Sequence, residues 1–555
     1  MSFWQAMMWS GGRAVVVGLL AVVVGVGVAR VLKWVLNNCG LRNSDCGMKM
    51  RRGGCEGVRV SGDHGSPAIG VGGDAIKENM GSMRGGRLQW LIRRVGMLGL
   101  VCLLVGGVVG PMGLPSLVVG YAWGDMGVSL VRHPGWNEVL YGGLLLGRYG
   151  VVSGFVMLFG PRGGTSEAGV WCGGSVGGIK GLMVRWSDWL SRGVIAFCAV
   201  FLLVFSEFEI ASLLGRPTWT VWLFDAQVGG LNILKALVNV VWPLGVQVVV
   251  VGGCAVWYLR REGRLGANDN TDMRKKKVGV VSLMLGGMWC LFAFVLVVGL
   301  PSFYVMKDAA KGLGRVIGDG RFWDDLWFSG VYAMIGTVGA VLLLVVVRGL
   351  VGKVLRSRMS GGGDVVIGVV SAMGLSGGLV VGLLLVNGRL WFERLTGSEF
   401  FSGTTFGEWL LIGGGLMVVL LPMGWVLGLL ARARRDRQAA HIAKMMWRGG
   451  DDRGVRRFGM RMWWKRSGSV WYWVGAYVFF QGFFELSASA ILYPAGGTPA
   501  AVRMYNLMHY GQSQVLSAMV VLSVVACGLV MLFGRGMAAW LMFECSRSWY
   551  RGGVR

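Results

Sequence analysis

Apolar residues in this chain come in blocks of about 20, the length that carries a helix across roughly 30 Å of hydrocarbon. The blocks fall at residues 14–36, 95–123, 139–159, 193–214, 236–259, 278–300, 330–350, 365–386, 409–430, 470–492 and 515–533. The pattern predicts an all-α polytopic membrane protein with about 11 transmembrane helices. Residues 3–9, FWQAMMW, read as an aromatic interfacial lead-in to the first block. That block is too long for a signal-peptide core and is expected to remain in the chain.

The polar connections alternate between basic and weakly charged. The basic ones are 37–94, 160–192, 260–277, 351–363, 431–469 and the tail from Arg535. Basic loops stay on the cytoplasmic side, so the N-terminus is expected outside and the C-terminus in the cytoplasm. Residues 37–94 read as a polar cytoplasmic insertion, and 260–277, with ANDNTD at its centre, as a linker between two halves.

Composition agrees: 54% of the 555 residues are hydrophobic and 15% charged, against about 25% charged in soluble domains. The net charge of +27 follows the loops, and no basic face for nucleic acid is read from it. Ten cysteines are scattered. Cys39, Cys46 and Cys55 fit no zinc spacing, and His64, His133, His441 and His509 are unclustered. No metal or cofactor is expected. There is no Walker A sequence and no nucleophile constellation, so the chain is not expected to be an enzyme.

One stretch occurs twice. Residues 205–227 read FSEFEIASLLGRPTWTVWLFDAQ, and 483–508 read FFELSASAILYPAGGTPAAVRMYNLM. Both run Phe-Glu-(Ile/Leu), a small-residue and Leu run, and a Gly/Pro break. Thr220, Val221, Trp222, Leu223, Phe224 and Asp225 then pair with Ala501, Val502, Arg503, Met504, Tyr505 and Asn506. Self-similarity over this length indicates duplication of a whole unit. Phe3-Trp4 before the first block resembles the approach to the block at 330–350, so the first repeat is expected to lack its first helix. Glu207, Glu209 and Glu485 fall at the outer ends of spans. Carboxylates there are either translocation-path groups or solvated helix ends. Asp225 and Asn506 are expected to cap short helices.

The connection before each repeated stretch also matches. Glu167, Ala168 and Gly173 precede Met183 and Trp186 at the offsets by which Lys444 and Gly450 precede Met460 and Trp463. This spacing resembles the EAA loop of ATP-binding-cassette importer permeases, Glu-Ala-Ala-x3-Gly-x9-Ile-x-Leu-Pro. Met183 and Met460 stand for the Ile, and Trp186 and Trp463 for the closing Pro. The doubled FE…LL…G…T stretch resembles the iron(III)-type branch, in which two permease domains are fused.

The resemblance implies two tandem type I permease-like repeats, at 1–259 and 278–555, in a bacterial inner membrane. It further implies a cytoplasmic ATPase dimer coupled through those loops, and a periplasmic or lipid-anchored solute-binding protein. The solute would be iron(III) or another small solute. An ion-gradient-driven secondary transporter and a non-transporting membrane scaffold are the alternatives.

Overall fold

The computed structural model describes residues 2–38, 106–107, 110–159, 179–229, 233–262, 280–354, 371, 374–433, 437–449, 453–494 and 496–548. All but the first two residues of the insertion at 37–94 and most of the linker at 260–277 lie outside them, as do the starts of the blocks at 95–123 and 365–386.

The described chain is helical, with no strand among the described residues. In chain order the helices are α1 (Phe3–Asn38), α2 (Ser116–Ser129), α3 (Pro134–Phe159), α4 (Ile179–Phe205), α5 (Glu209–Leu213), α6 (Trp219–Val228) and α7 (Ile233–Glu262). There follow α8 (Val280–Phe294), α9 (Leu300–Ile317), α10 (Gly320–Val354), α11 (Gly378–Thr396), α12 (Phe400–Gly403) and α13 (Thr405–Ala433). The last are α14 (Arg437–Gly449), α15 (Arg453–Trp463), α16 (Ser469–Phe483), α17 (Ser489–Leu492), α18 (Ala500–His509) and α19 (Ser513–Ser548). Six described helices are long and apolar enough to cross a membrane: Phe3–Val35, Pro134–Leu158, Val280–Ile317, Gly320–Val347, Thr405–Gly428 and Ser513–Met542. The protein is an all-α, multi-pass membrane protein.

Local chemistry moves several boundaries from their expected places. The aromatic lead-in is the first turn of α1, started by a reciprocal cap: Gln5 N–H donates to Ser2 Oγ at 3.3 Å and Ser2 N–H to Gln5 Oε1 at 3.1 Å. The expected loop after residue 300 is helical. A π-turn at Val295–Gly299 carries α8 into α9, and Pro301 sits in the first turn of α9, where its missing N–H costs little. Val305, Ala309, Gly312 and Val316 form the buried stripe of α9, so its charges lie on the other face. Only Gly318 and Asp319 separate α9 from α10.

The expected single spans at 193–214 and 470–492 are each broken. α4 stops at Phe205 and resumes as α5, and α16 stops at Phe483 and resumes as α17. Asp225 and Asn506 lie inside α6 and α18 and cap neither. Thr218 caps α6, accepting from Val221 N–H at 3.2 Å. A serine on another helix serves each start: Trp219 N–H donates to Ser10 Oγ at 3.1 Å, and Ala500 N–H to Ser329 Oγ at 2.7 Å.

α1 packs along α3 and α4, and α10 along α13 and α16. α6 lies against α1 and α7, and α18 against α10 and α19. Charge pairs sit beside the two short helices. Glu138 pairs with both Arg13 and Arg216, whereas Arg503 pairs with both Asp319 and Asp325. Burial works against the Asp319 charge more than any single partner favours it, but the hydrogen bonds from Arg503 and the Arg321 amide, with the charges of both arginines, together hold that carboxyl below the usual range.

The continuous helix 280–317 spans two environments. α8 packs on α1, where Gly27 and Gly286 bring backbones together, and α9 packs on α19. A Cβ built on Gly312 would stand 2.0 Å from the Gln514 carbonyl oxygen, whereas one on Gly314 meets nothing within 4 Å. Gly312→Ala should therefore cost about 1–3 kcal/mol through overpacking, while Gly314→Ala should be neutral or stabilising by up to about 1 kcal/mol. Thermal unfolding midpoints of the two variants in detergent check this, and equal midpoints would contradict the α9–α19 packing.

Candidate functional site

The two breaks meet in the middle of the bundle, and the three expected carboxylates meet with them. Breaking a helix inside an apolar layer frees backbone groups, and each must find a partner. At the first break, Glu207 Oε1 accepts the Ile210 N–H at 3.0 Å, opening α5. Thr220 Oγ1 donates to the Glu207 carbonyl at 2.9 Å, and Trp219 Nε1–H to the Phe205 carbonyl at 2.7 Å. At the second, the Glu485 carboxylate accepts Ala488 N–H at 3.0 Å and Ser489 N–H at 3.2 Å, opening α17. Each carboxylate acts as a cap placed by the sequence just before a short helix.

Glu209 crosses between them. Its Oε1 accepts the Leu486 N–H of the second break at 3.3 Å, and Ser116, at the start of α2, bonds to the same carboxyl group. Gly377 and Gly378 close the seam from α11. Gly377 has φ +96°, open to glycine and strained for other residues. A Cβ on Gly378 would stand 2.2 Å from Glu485 Oε1. Glu207 and Glu209 are 6% and 8% exposed, so neither is a solvated helix end, and Glu485 is half-buried. The three carboxylates do not converge on a point that could hold one metal ion.

Two residues complete the cluster that the sequence reading passed over. Arg148, 6% exposed, stands halfway along α3. Its guanidinium donates to the Leu114 carbonyl at 2.7 Å and interacts electrostatically with Glu207 and Glu209. Tyr149 OH donates to Glu207 Oε2. The signal was present: an Arg inside an apolar block is costly and asks for a partner. Beside them, Tyr477 OH and Gln481 Nε2–H both donate to the Met112 carbonyl, at 2.8 and 3.2 Å.

Aromatic rings lie on one side of the carboxylates. Phe208 packs on Phe224 at 5.1 Å between centroids, and Phe224 meets Tyr505 edge-on at 6.4 Å. Phe224 and Tyr505 are the paired positions of the doubled stretch, and they touch.

The second group of predicted residues lies at the other end of α16, which at 1.5 Å per residue is about 22 Å long. α14 and α15 form a basic hairpin there. A Cβ on Gly459 would stand 2.7 Å from the Trp447 amide nitrogen, so Gly459 is the close-contact glycine of this hairpin. Gly450 lies outside the described residues, as do Glu167, Ala168 and Gly173. Met183 and Trp186 fall in the first turns of α4. Met460 is 2% exposed and faces the hairpin interior, and Trp463 packs near Trp447 at 6.3 Å. Lys444 is exposed. The apolar side chains that reach outward are Ile442, Met445 and Phe458, the last two 56% and 59% exposed.

Comparison with family models, with curated proteins and with solved structures finds no match.

The carboxylate caps carry a direct expectation. Glu485→Ala leaves two buried N–H groups unmet, at about 1–3 kcal/mol for each such loss. Glu485→Gln keeps an acceptor and should recover most of that. Amide hydrogen exchange at Ala488 and Ser489 reads the difference: fast exchange in the Ala variant and slow in the Gln variant. Identical exchange in both would mean that the carboxylate does not hold α17.

Proposed function

We propose that this chain is the fused, two-repeat permease of an importer driven by a separate cytoplasmic ATPase dimer. Helices α1, α3, α4, α5, α6 and α7 form one repeat, and α10, α13, α16, α17, α18 and α19 the other. The unit boundaries are 1–259 and 278–555, with α8 and α9 as the extra first helix of the second. The single observation that carries this reading is the contact between Phe224 and Tyr505. Equivalent residues of two copies meet where a rotation axis relating the copies passes between them, as they do in a twofold, isologous contact, so a pseudo-twofold between the repeats accounts for it. The serine caps from Ser10 and Ser329 support the same relation, as does a carboxylate that caps the short helix at each break, Glu207 at the first and Glu485 at the second, although the Phe-Glu-(Ile/Leu) register aligns Glu485 with Glu209.

On this reading the seam of Glu207, Glu209 and Glu485 lines the path between the repeats, and the two repeats rock about it to give alternating access. The hairpin α14–α15 is the coupling element of the second repeat, and the loop with Glu167, Ala168 and Gly173 leads into that of the first. Lys444, Ile442, Met445 and Phe458 face the ATPase, while Met460, Trp463 and Gly459 hold the hairpin's shape. A solute-binding protein delivers iron(III) or another small solute to the opposite face. The membrane is a bacterial inner membrane with the hairpin in the cytoplasm.

One observation favours a second reading. Arg148 lies buried near Glu207 and Glu209, the kind of grouping that an ion-gradient-driven transporter uses. Affinity purification from the native membrane separates the two. The permease reading expects an ATPase to co-purify with the chain, and expects Met445→Glu with Phe458→Glu to lose it at least tenfold. That variant should keep its elution position, since both side chains are exposed. Absence of any ATPase from the wild-type preparation would remove the permease reading in favour of the gradient-driven one.

A further inference from the structure

We propose that the contact between the repeats is a gate, with Phe224 and Tyr505 as its plug and Glu209 as its latch. The inference rests on the permease reading and adds residues to it. Three observations combine. Phe224 and Tyr505 meet at the pseudo-axis, each on a short helix that is held from behind: Arg13 bonds to the Pro217 carbonyl at 2.8 Å beside α6, and Arg503 anchors α18 to Asp325 at 2.6 Å. Phe208 backs the plug from the first break, and Ser212 on α5 bonds to Tyr505. The Glu209 carboxylate reaches the Leu486 amide of the opposite repeat at 3.3 Å.

The plug and the latch act on the same motion. Separating the repeats at this end must part the two rings, and it must also draw the second break away from Glu209. The ring contact is an apolar edge-on pair, so parting the rings leaves no charge without a partner. The latch is a buried backbone hydrogen bond to a carboxyl in a water-poor seam, and its release leaves polar groups unmet there, so it carries the larger cost. Gly377 and Gly378 allow α11 to close against Ser206 and Glu485 without a side chain in the way.

Two measurements on the full chain test this. In planar bilayers with potassium chloride as the probe, the wild type should be nearly silent. Phe224→Ala with Tyr505→Ala should raise conductance at least tenfold, and Glu209→Ala should raise it by a smaller factor. A double alanine variant that elutes as folded protein and conducts no more than wild type overturns the gate. Separately, Phe224→Cys with Tyr505→Cys, placed in a background lacking the native cysteines, should cross-link in most molecules with a short thiol-reactive bridge. Failure to cross-link overturns the ring pairing itself. Neither readout needs the ATPase, so the gate can fail while ATPase co-purification still supports the permease, and the reverse.

Discussion

A carboxylate inside an apolar bundle must be given donors, and in this chain the donors are the amides that helix breaks set free. Glu207 and Glu485 each accept N–H groups from the short helix that follows, and Glu209 accepts one across the seam. The exchange works in both directions. Without the breaks the carboxylates would be buried with no partner, and without the carboxylates the broken backbone would be unsatisfied in a layer that offers no water. The rest of the architecture is arranged around this. Serines 10 and 329 complete the next helix starts, the clamps at Glu138 and Arg503 hold those helices down, and Gly377–Gly378 lets α11 come close enough to cover the seam.

This arrangement explains how one chain can be both firm and movable. The long helices pack through glycine contacts, such as Gly27 on Gly286 and Gly312 on α19, which resist deformation. The breaks are held by a few hydrogen bonds and by the close approach of Gly377 and Gly378. Motion, on the proposed reading, concentrates where the backbone is already interrupted. The basic hairpin at the far end of α16 is joined to the second break by that single helix, and on the proposed reading displacement of one end is passed to the other. Apolar packing also ties the proposed repeats together. Leu379, Val380 and Leu383 of α11 join the core built on α1, α3 and α4, and Leu117 and Val118 of α2 join the core built on α16, α18 and α19.

Much of the helical, multi-pass character was legible in block length alone. The breaks were not, because an average over a block of about 20 residues hides the short segments 206–208 and 484–488 among the Phe, Leu, Val and Ala that flank them. The Glu residues at the breaks were visible, but whether they faced water or donors depends in part on contacts distant in sequence, from Glu207 to Tyr149 and from Glu209 to Leu486 and Ser116. Helix α9 was missed for the opposite reason. Its mixed charges suggested a loop, while the period of Val305, Ala309, Gly312 and Val316 carried the helix signal. Arg148 was lost inside a block judged by its average. Gly459, which packs against the Trp447 backbone, lies off the loop spacing and was not singled out by it, while Gly450 lies outside the described residues.

All of this depends on the seam being a meeting of two like units. A density map of the full chain in a lipid nanodisc measures that most directly. The account predicts that a rotation of roughly 180°, about an axis between Phe224 and Tyr505, carries α1, α3, α4 and α6 onto α10, α13, α16 and α18, with both breaks at one depth in the bilayer. Breaks at different depths, or Phe224 and Tyr505 far apart with no such rotation, would contradict it.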